Sequence, residues 1–236
     1  VGAKKIANSL LEDRCNVETL IIDTNNIEDA GAEHIAKALM SPKCSRISLL
    51  DIGRNNITEI GLKTILSAVK DVSTTIETLI VTRNAFGLEG VSDIALTLEN
   101  EECNITRLDM GWTTLGNDGA KAIAQALIHV NCKVSSLQLF GNSLGKVGAT
   151  HIASALATKI CKVSAINLQS CSITDADARN IASALNSCNC TVINIELQGN
   201  TFGYDGIQSI YNAIASRSTP SLLKYIGGIT LSNCPN

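Results

Sequence analysis

Residues 17–39 read VETLIIDTNNIEDAGAEHIAKAL, and residues 134–156 read VSSLQLFGNSLGKVGATHIASAL. Overlaid, the two share an apolar residue, a Leu three later, an aliphatic two after that, and an Asn three further on. An aliphatic follows at two, a Gly four beyond it, an Ile four later, and a closing Leu. The Asn position recurs through the chain as Asn25, Asn55, Asn84, Thr113, Asn142, Cys171 and Asn200, one step of 30 residues followed by five of 29. A period in this range is the mark of a solenoid, in which no unit can bury its apolar side without the next.

Each unit changes periodicity halfway. Leu20 and Ile22 alternate with Thr19, Ile21 and Asp23, a strand with one inward face. Ala32, Ile35, Ala36 and Leu39 then fall at i, i+3, i+4 and i+7, one stripe of a helix, and Ala120, Ile123, Ala124 and Leu127 repeat it. Strands stack at about 4.8 Å and helices at about 8–10 Å, so a parallel sheet is expected on the concave side and helices on the convex side. The fold class expected is α/β, a right-handed βα solenoid of about eight strands. It forms a single domain: a half repeat at 1–14, seven repeats over about 15–218, and a terminal strand within 219–236. Ile226, Ile229, Leu231 and Cys234 supply the pattern for that strand, after an insertion around residues 216–221 that shifts it by five residues. The amide of each closing Asn can donate to and accept from backbone left unpaired where the chain leaves the sheet, and Thr113 and Cys171 fill the slot less completely.

This skeleton resembles the leucine-rich repeat. Its 29-residue length, helical convex side, Gly six residues after the Asn and the SPKC turn at 41–44 are similar to the ribonuclease-inhibitor-like subclass. The resemblance implies a protein-interaction module without catalytic residues or cofactors, holding one protein partner on the concave face. It leaves two further readings, the sensor tail of a NOD-like receptor or the repeat domain of a microbial effector. A shorter likeness, Arg83 followed by NAFG at 84–87, is to the repeat of Ran GTPase-activating proteins, which would make Arg83 a stabiliser of phosphoryl-transfer charge.

A net charge of −3, a pI near 5.6 and the lack of a basic stripe argue against nucleic acid or an anionic membrane surface as partner. The chain starts at Val1, so a fragment of a longer protein is expected. Nine cysteines, spread along a chain with apolar residues enough for a core, favour a reducing compartment. The cytoplasm is the expected location, or the host cytosol for a secreted effector, with the protein a monomer. Cys15, Cys103, Cys132, Cys161 and Cys190 stand ten residues before the Asn position and Cys44 eleven before it, a ladder of small apolar residues expected to be free thiols. Cys188 and Cys190 lack the second pair that zinc needs. His34, His129 and His151 read as helix or turn surface, and no phosphate loop or nucleophile signature is found.

The partner is expected where unusual chemistry collects on the strand face. One column facing the concavity reads Ile21, Asp51, Ile80, Asp109, Gln138, Asn167, Glu196, and the next Asp23, Gly53, Thr82, Gly111, Phe140, Gln169, Gln198. Just before the Asn position stand Thr24, Arg54, Arg83, Trp112, Gly141, Ser170 and Gly199. Asp51, Arg54, Arg83, Arg107, Asp109, Trp112, Gln138 and Phe140 are the candidate partner-binding residues, because Trp and Arg dominate interface energetics. The competing expectation has Trp112 packing over the Thr113 corner while the arginines pair with Asp51 and Asp109.

Overall fold

The computed structural model describes residues 1–13, 16–216 and 225–227. Helix α1 (Gly2–Leu10) comes first, followed by seven strand and helix units. These are β1 (Thr19–Ile21) with α2 (Glu28–Leu39), β2 (Leu49–Asp51) with α3 (Glu59–Val69), β3 (Thr78–Ile80) with α4 (Gly87–Leu98), and β4 (Arg107–Asp109) with α5 (Gly116–Leu127). Then come β5 (Ser136–Gln138) with α6 (Gly145–Leu156), β6 (Ala165–Asn167) with α7 (Asp175–Leu185), and β7 (Asn194–Glu196) with α8 (Tyr204–Ser216). Strand β8 (Tyr225–Gly227) closes one sheet whose order is the chain order, every pair parallel. The fold is a βα solenoid with its helices on one side of the sheet.

The register follows the repeat. Leu20, Leu50, Leu79, Leu108, Leu137, Ile166 and Ile195 lie opposite one another and are all buried. Pairing runs beyond the three-residue strands: Ile22 N donates to Asp51 O (2.9 Å), and Trp112 N donates to Phe140 O (2.9 Å). On the helices, Ala32, Ile35, Ala36 and Leu39 are buried, as are Ala120, Ile123, Ala124 and Leu127, because their small Ala positions let each helix approach the sheet. The SPKC segment forms a 3-10 turn, Pro42–Cys44, capped by the Ser41 hydroxyl.

Asparagine ties successive repeats together. Asn142 Oδ1 accepts from Thr113 N (3.0 Å) and Leu115 N (3.1 Å), while Nδ2 donates to Met110 O (2.8 Å) and Leu139 O (2.9 Å). Asn55, Asn84 and Asn200 reach into the preceding repeat in the same way. Thr113 offers less, its hydroxyl turning back to Met110 O, and Cys171 answers with a thiol donating to Leu139 O (3.2 Å).

The last strand departs from the sequence-based register. Ile226, rather than Ile229, lies opposite Ile195, so the final step is two residues longer than 29 instead of five. A corner Asn, or Thr113 or Cys171 in its place, stands at a fixed interval in each complete repeat, whereas this strand follows the backbone ladder of β7. The remainder of 219–236 lies outside the described residues, as do Arg14, Cys15 and most of the insertion.

Candidate interaction face

The corner immediately before each Asn is left-handed throughout the solenoid. Thr24, Arg54, Arg83, Trp112 and Ser170 have φ between +51° and +59°, and Gly141 and Gly199 have φ of +70° and +69°. Glycine is at ease there, while a residue with a Cβ costs about 1 kcal/mol or more. Repeats two to four nevertheless set three large side chains in this corner, Arg54, Arg83 and Trp112, and all three are exposed. Strain of this kind, held by surrounding structure, is found preferentially at functional positions.

Trp112 is 47% exposed. Its ring lies across the backbone of the next repeat, so that a Cβ added at Gly141 would sit 2.4 Å from the ring carbons. Phe140 leans the other way: a Cβ added at Gly111 would meet its ring at 2.3 Å. Each glycine clears the floor on which a neighbouring aromatic rests, and the two rings cross between repeats four and five. On the far side, the Arg83 guanidinium sits over the indole, 4.9 Å from its centroid, a cation–π contact.

The carboxylates play another part. Asp51 Oδ1 accepts from Gly53 N (2.9 Å) and Asp109 Oδ1 from Gly111 N (3.0 Å), closing a turn at the end of each strand. Burial pushes both carboxyls above their usual range against the help of those amides. Asp23 adds to the rise at Asp51, and Asp51 adds to it at Asp109, where Arg107 opposes it. Among the described residues, Arg54, Arg83 and Arg107 form no ion pair with either aspartate; the two salt bridges are Lys37 to Glu33 and Lys43 to Asp13. The expected Arg and Asp pairing is therefore absent, because Arg83 spends its guanidinium on the indole and the aspartates are turned to backbone amides. Arg107 stands exposed on β4, and Gln138 donates to its own strand's Ser136 Oγ (3.4 Å).

The structure also gathers residues outside the predicted set. Glu196 Oε2 accepts from Asn167 Nδ2 (3.3 Å) and from Gln169 Nε2, an amide-rich floor next to the aromatic centre. A signal for the opposed rings was present: in each of the two columns a glycine stands one repeat away from the aromatic residue, Gly141 beside Trp112 and Gly111 beside Phe140.

The cysteine ladder is buried, with Cys44, Cys103, Cys132, Cys161 and Cys190 each at most 3% exposed; Cys15 lies outside the described residues. Cys103, Cys132, Cys161 and Cys171 are free thiols, and burial raises all four, Cys161 and Cys171 to about 11. Thr74 takes the ladder position in repeat three, its hydroxyl donating to the Ala68 and Asp71 carbonyls. Among the described residues, no group of His, Cys, Asp or Glu could hold a metal ion. None of their helices is long and apolar enough to cross a membrane.

Residues 72–95 and 102–124 match the family model of the leucine-rich repeat. These stretches span most of repeats three and four, where the chain is similar to the leucine-rich repeat, and the same spacing of apolar residues recurs in the other turns. No curated protein matches the chain.

Proposed function

We propose that this solenoid is a protein-binding module whose concave face docks one partner on the crossed aromatic centre of repeats two to five. Leucine-rich repeats generally mediate protein–protein interaction, and the observation carrying the more specific reading is Trp112. A half-exposed indole in a strained corner, braced by Arg83 and the Gly141 backbone, is a rigid anchor presented to solvent. Arg54, Arg107, Phe140 and Gln138 lie on the same face within repeats two to five, with the half-buried Asp51 and Asp109 among them. Anchors of this type cost about 2 kcal/mol or more of binding when truncated.

The module acts by binding and carries no catalytic role of its own. The 29-residue period and the helical convex side support the ribonuclease-inhibitor-like subclass, and buried protonated thiols support a reducing, cytosolic setting. The test places a photo-crosslinking residue at position 112 and, as a control, at Leu96, 62% exposed on α4. Crosslinked products should arise from position 112 and vanish when unlabelled protein competes, while Trp112→Gly protein should fail to compete. A partner captured equally from Leu96, or displaced equally well by Trp112→Gly, would move the interface off the concave face.

A further inference from the structure

Resting on that reading, we infer that the segment of the partner seated against Trp112 is acidic, a stretch of Asp or Glu around an apolar residue. Arg54 and Arg83 occupy the same left-handed corner of consecutive repeats, so their backbones are one strand spacing apart, about 4.8 Å. Both are exposed, and neither has an ion-pair partner among the described residues, although Asp51 and Asp109 lie on the adjoining floor. Two exposed arginines thus rise from neighbouring corners without an internal carboxylate partner, within reach of one anionic segment lying across repeats two to four.

Arg83 is also preorganised. Its cation–π contact with the indole holds the guanidinium beside the ring, and a guanidinium can bind a carboxylate in two parallel hydrogen bonds. The negative charges are disposed differently. Asp51 and Asp109 are half-buried, each with one oxygen on a backbone amide, and burial raises both carboxyls above their usual range. In repeats two to four the face therefore presents exposed arginines beside half-buried aspartates, with the exposed Asp23 at its repeat-one edge. An approaching chain meets the arginines first, and its apolar residue then has the rings of Trp112 and Phe140 to cover.

Trp112, the only tryptophan, reports on this potential directly. Quenching by iodide and by caesium is measured at low ionic strength, each relative to N-acetyltryptophanamide. A unit charge about 8 Å away changes local ion concentrations about twofold in water, so iodide should be favoured by about that factor or more. Added salt, or the pair Arg54→Gln and Arg83→Gln, should erase the preference. Protection of Trp112 from acrylamide is then followed with an oligoglutamate peptide bearing a central leucine, its oligolysine counterpart and oligothymidine. The glutamate peptide should protect the indole, and the double variant, checked for an unchanged thermal transition, should lose that protection. Protection by oligolysine would mean that the acidic floor selects the partner, and stronger protection by oligothymidine would mean a nucleic acid; either overturns the inference. A caesium preference, or no protection by any probe, overturns it as well. Crosslinking from position 112 is independent of all these outcomes, so the docking reading can stand while the acidic partner falls.

Discussion

Replacing Asn142 by Ala removes the bracket between repeats four and five, and the structure sets the size of the effect. The side chain is fully buried and makes four hydrogen bonds to backbone. The two carbonyls it serves keep a second donor, Met110 O from the Thr113 hydroxyl and Leu139 O from the Cys171 thiol. The two amides do not: Thr113 N and Leu115 N would be left buried and unpaired. At about 1–3 kcal/mol for each orphaned group, the loss should be about 4 kcal/mol. Asn25→Ala is the control, since that side chain is exposed and no described residue donates to its Oδ1; its cost should stay below about 1 kcal/mol. Asn142→Cys, copying the residue at position 171, should fall between the two. Urea unfolding followed by circular dichroism and Trp112 emission measures all three variants. If Asn142→Ala and Asn25→Ala agree within about 1 kcal/mol, the side-chain bracket is not what joins the repeats, and the argument from orphaned amides fails.

Three further outcomes follow from the corner and the ladder. Gly141→Ala combines φ of +70° with a Cβ 2.4 Å from the indole, so it should lower stability by about 1 kcal/mol or more and lift Trp112 into water, seen as a red shift and easier acrylamide quenching; an unchanged spectrum would show that the ring does not rest there. For the thiols, native protein with Cys15 and Cys234 replaced by Ser should react with maleimide at exposed Cys188 alone, and at the ladder only after unfolding. Cys161 and Cys171 ionise near 9 when unfolded but near 11 when folded, so the native state holds more protons between those values. The thiols' contribution to stability should be constant below about pH 8 and be lost between about 9 and 11, by about 2–3 kcal/mol for each thiol, and Cys161→Ala should remove its share of that slope.

Much of this architecture was legible because it is local and repeated. A period of two within Thr19–Asp23 and a stripe at i, i+3, i+4 and i+7 within Ala32–Leu39 determine a strand and a helix, and seven copies average out exceptions such as Asp177 in place of the helix glycine. The terminal strand was misread for the complementary reason: with one incomplete copy, Ile226 and Ile229 compete for the same place, and only pairing with β7 chooses between them. The site was legible as a set of columns. Its arrangement was not, because a side chain at a corner can turn toward the floor, toward solvent or toward either neighbouring repeat.

By itself the sequence determined a parallel solenoid, its Asn brackets, its buried thiols and the concentration of Arg and Trp in repeats two to four. Those features follow from spacing along one chain, where an apolar or amide group at a fixed interval has one way to be satisfied. The tertiary structure alone decided that the corner is left-handed, that Trp112 and Phe140 lean in opposite directions onto Gly141 and Gly111, and that Arg83 takes the indole instead of Asp109. These choices depend on the space left by residues 29 positions away, and that space exists only once the repeats are stacked.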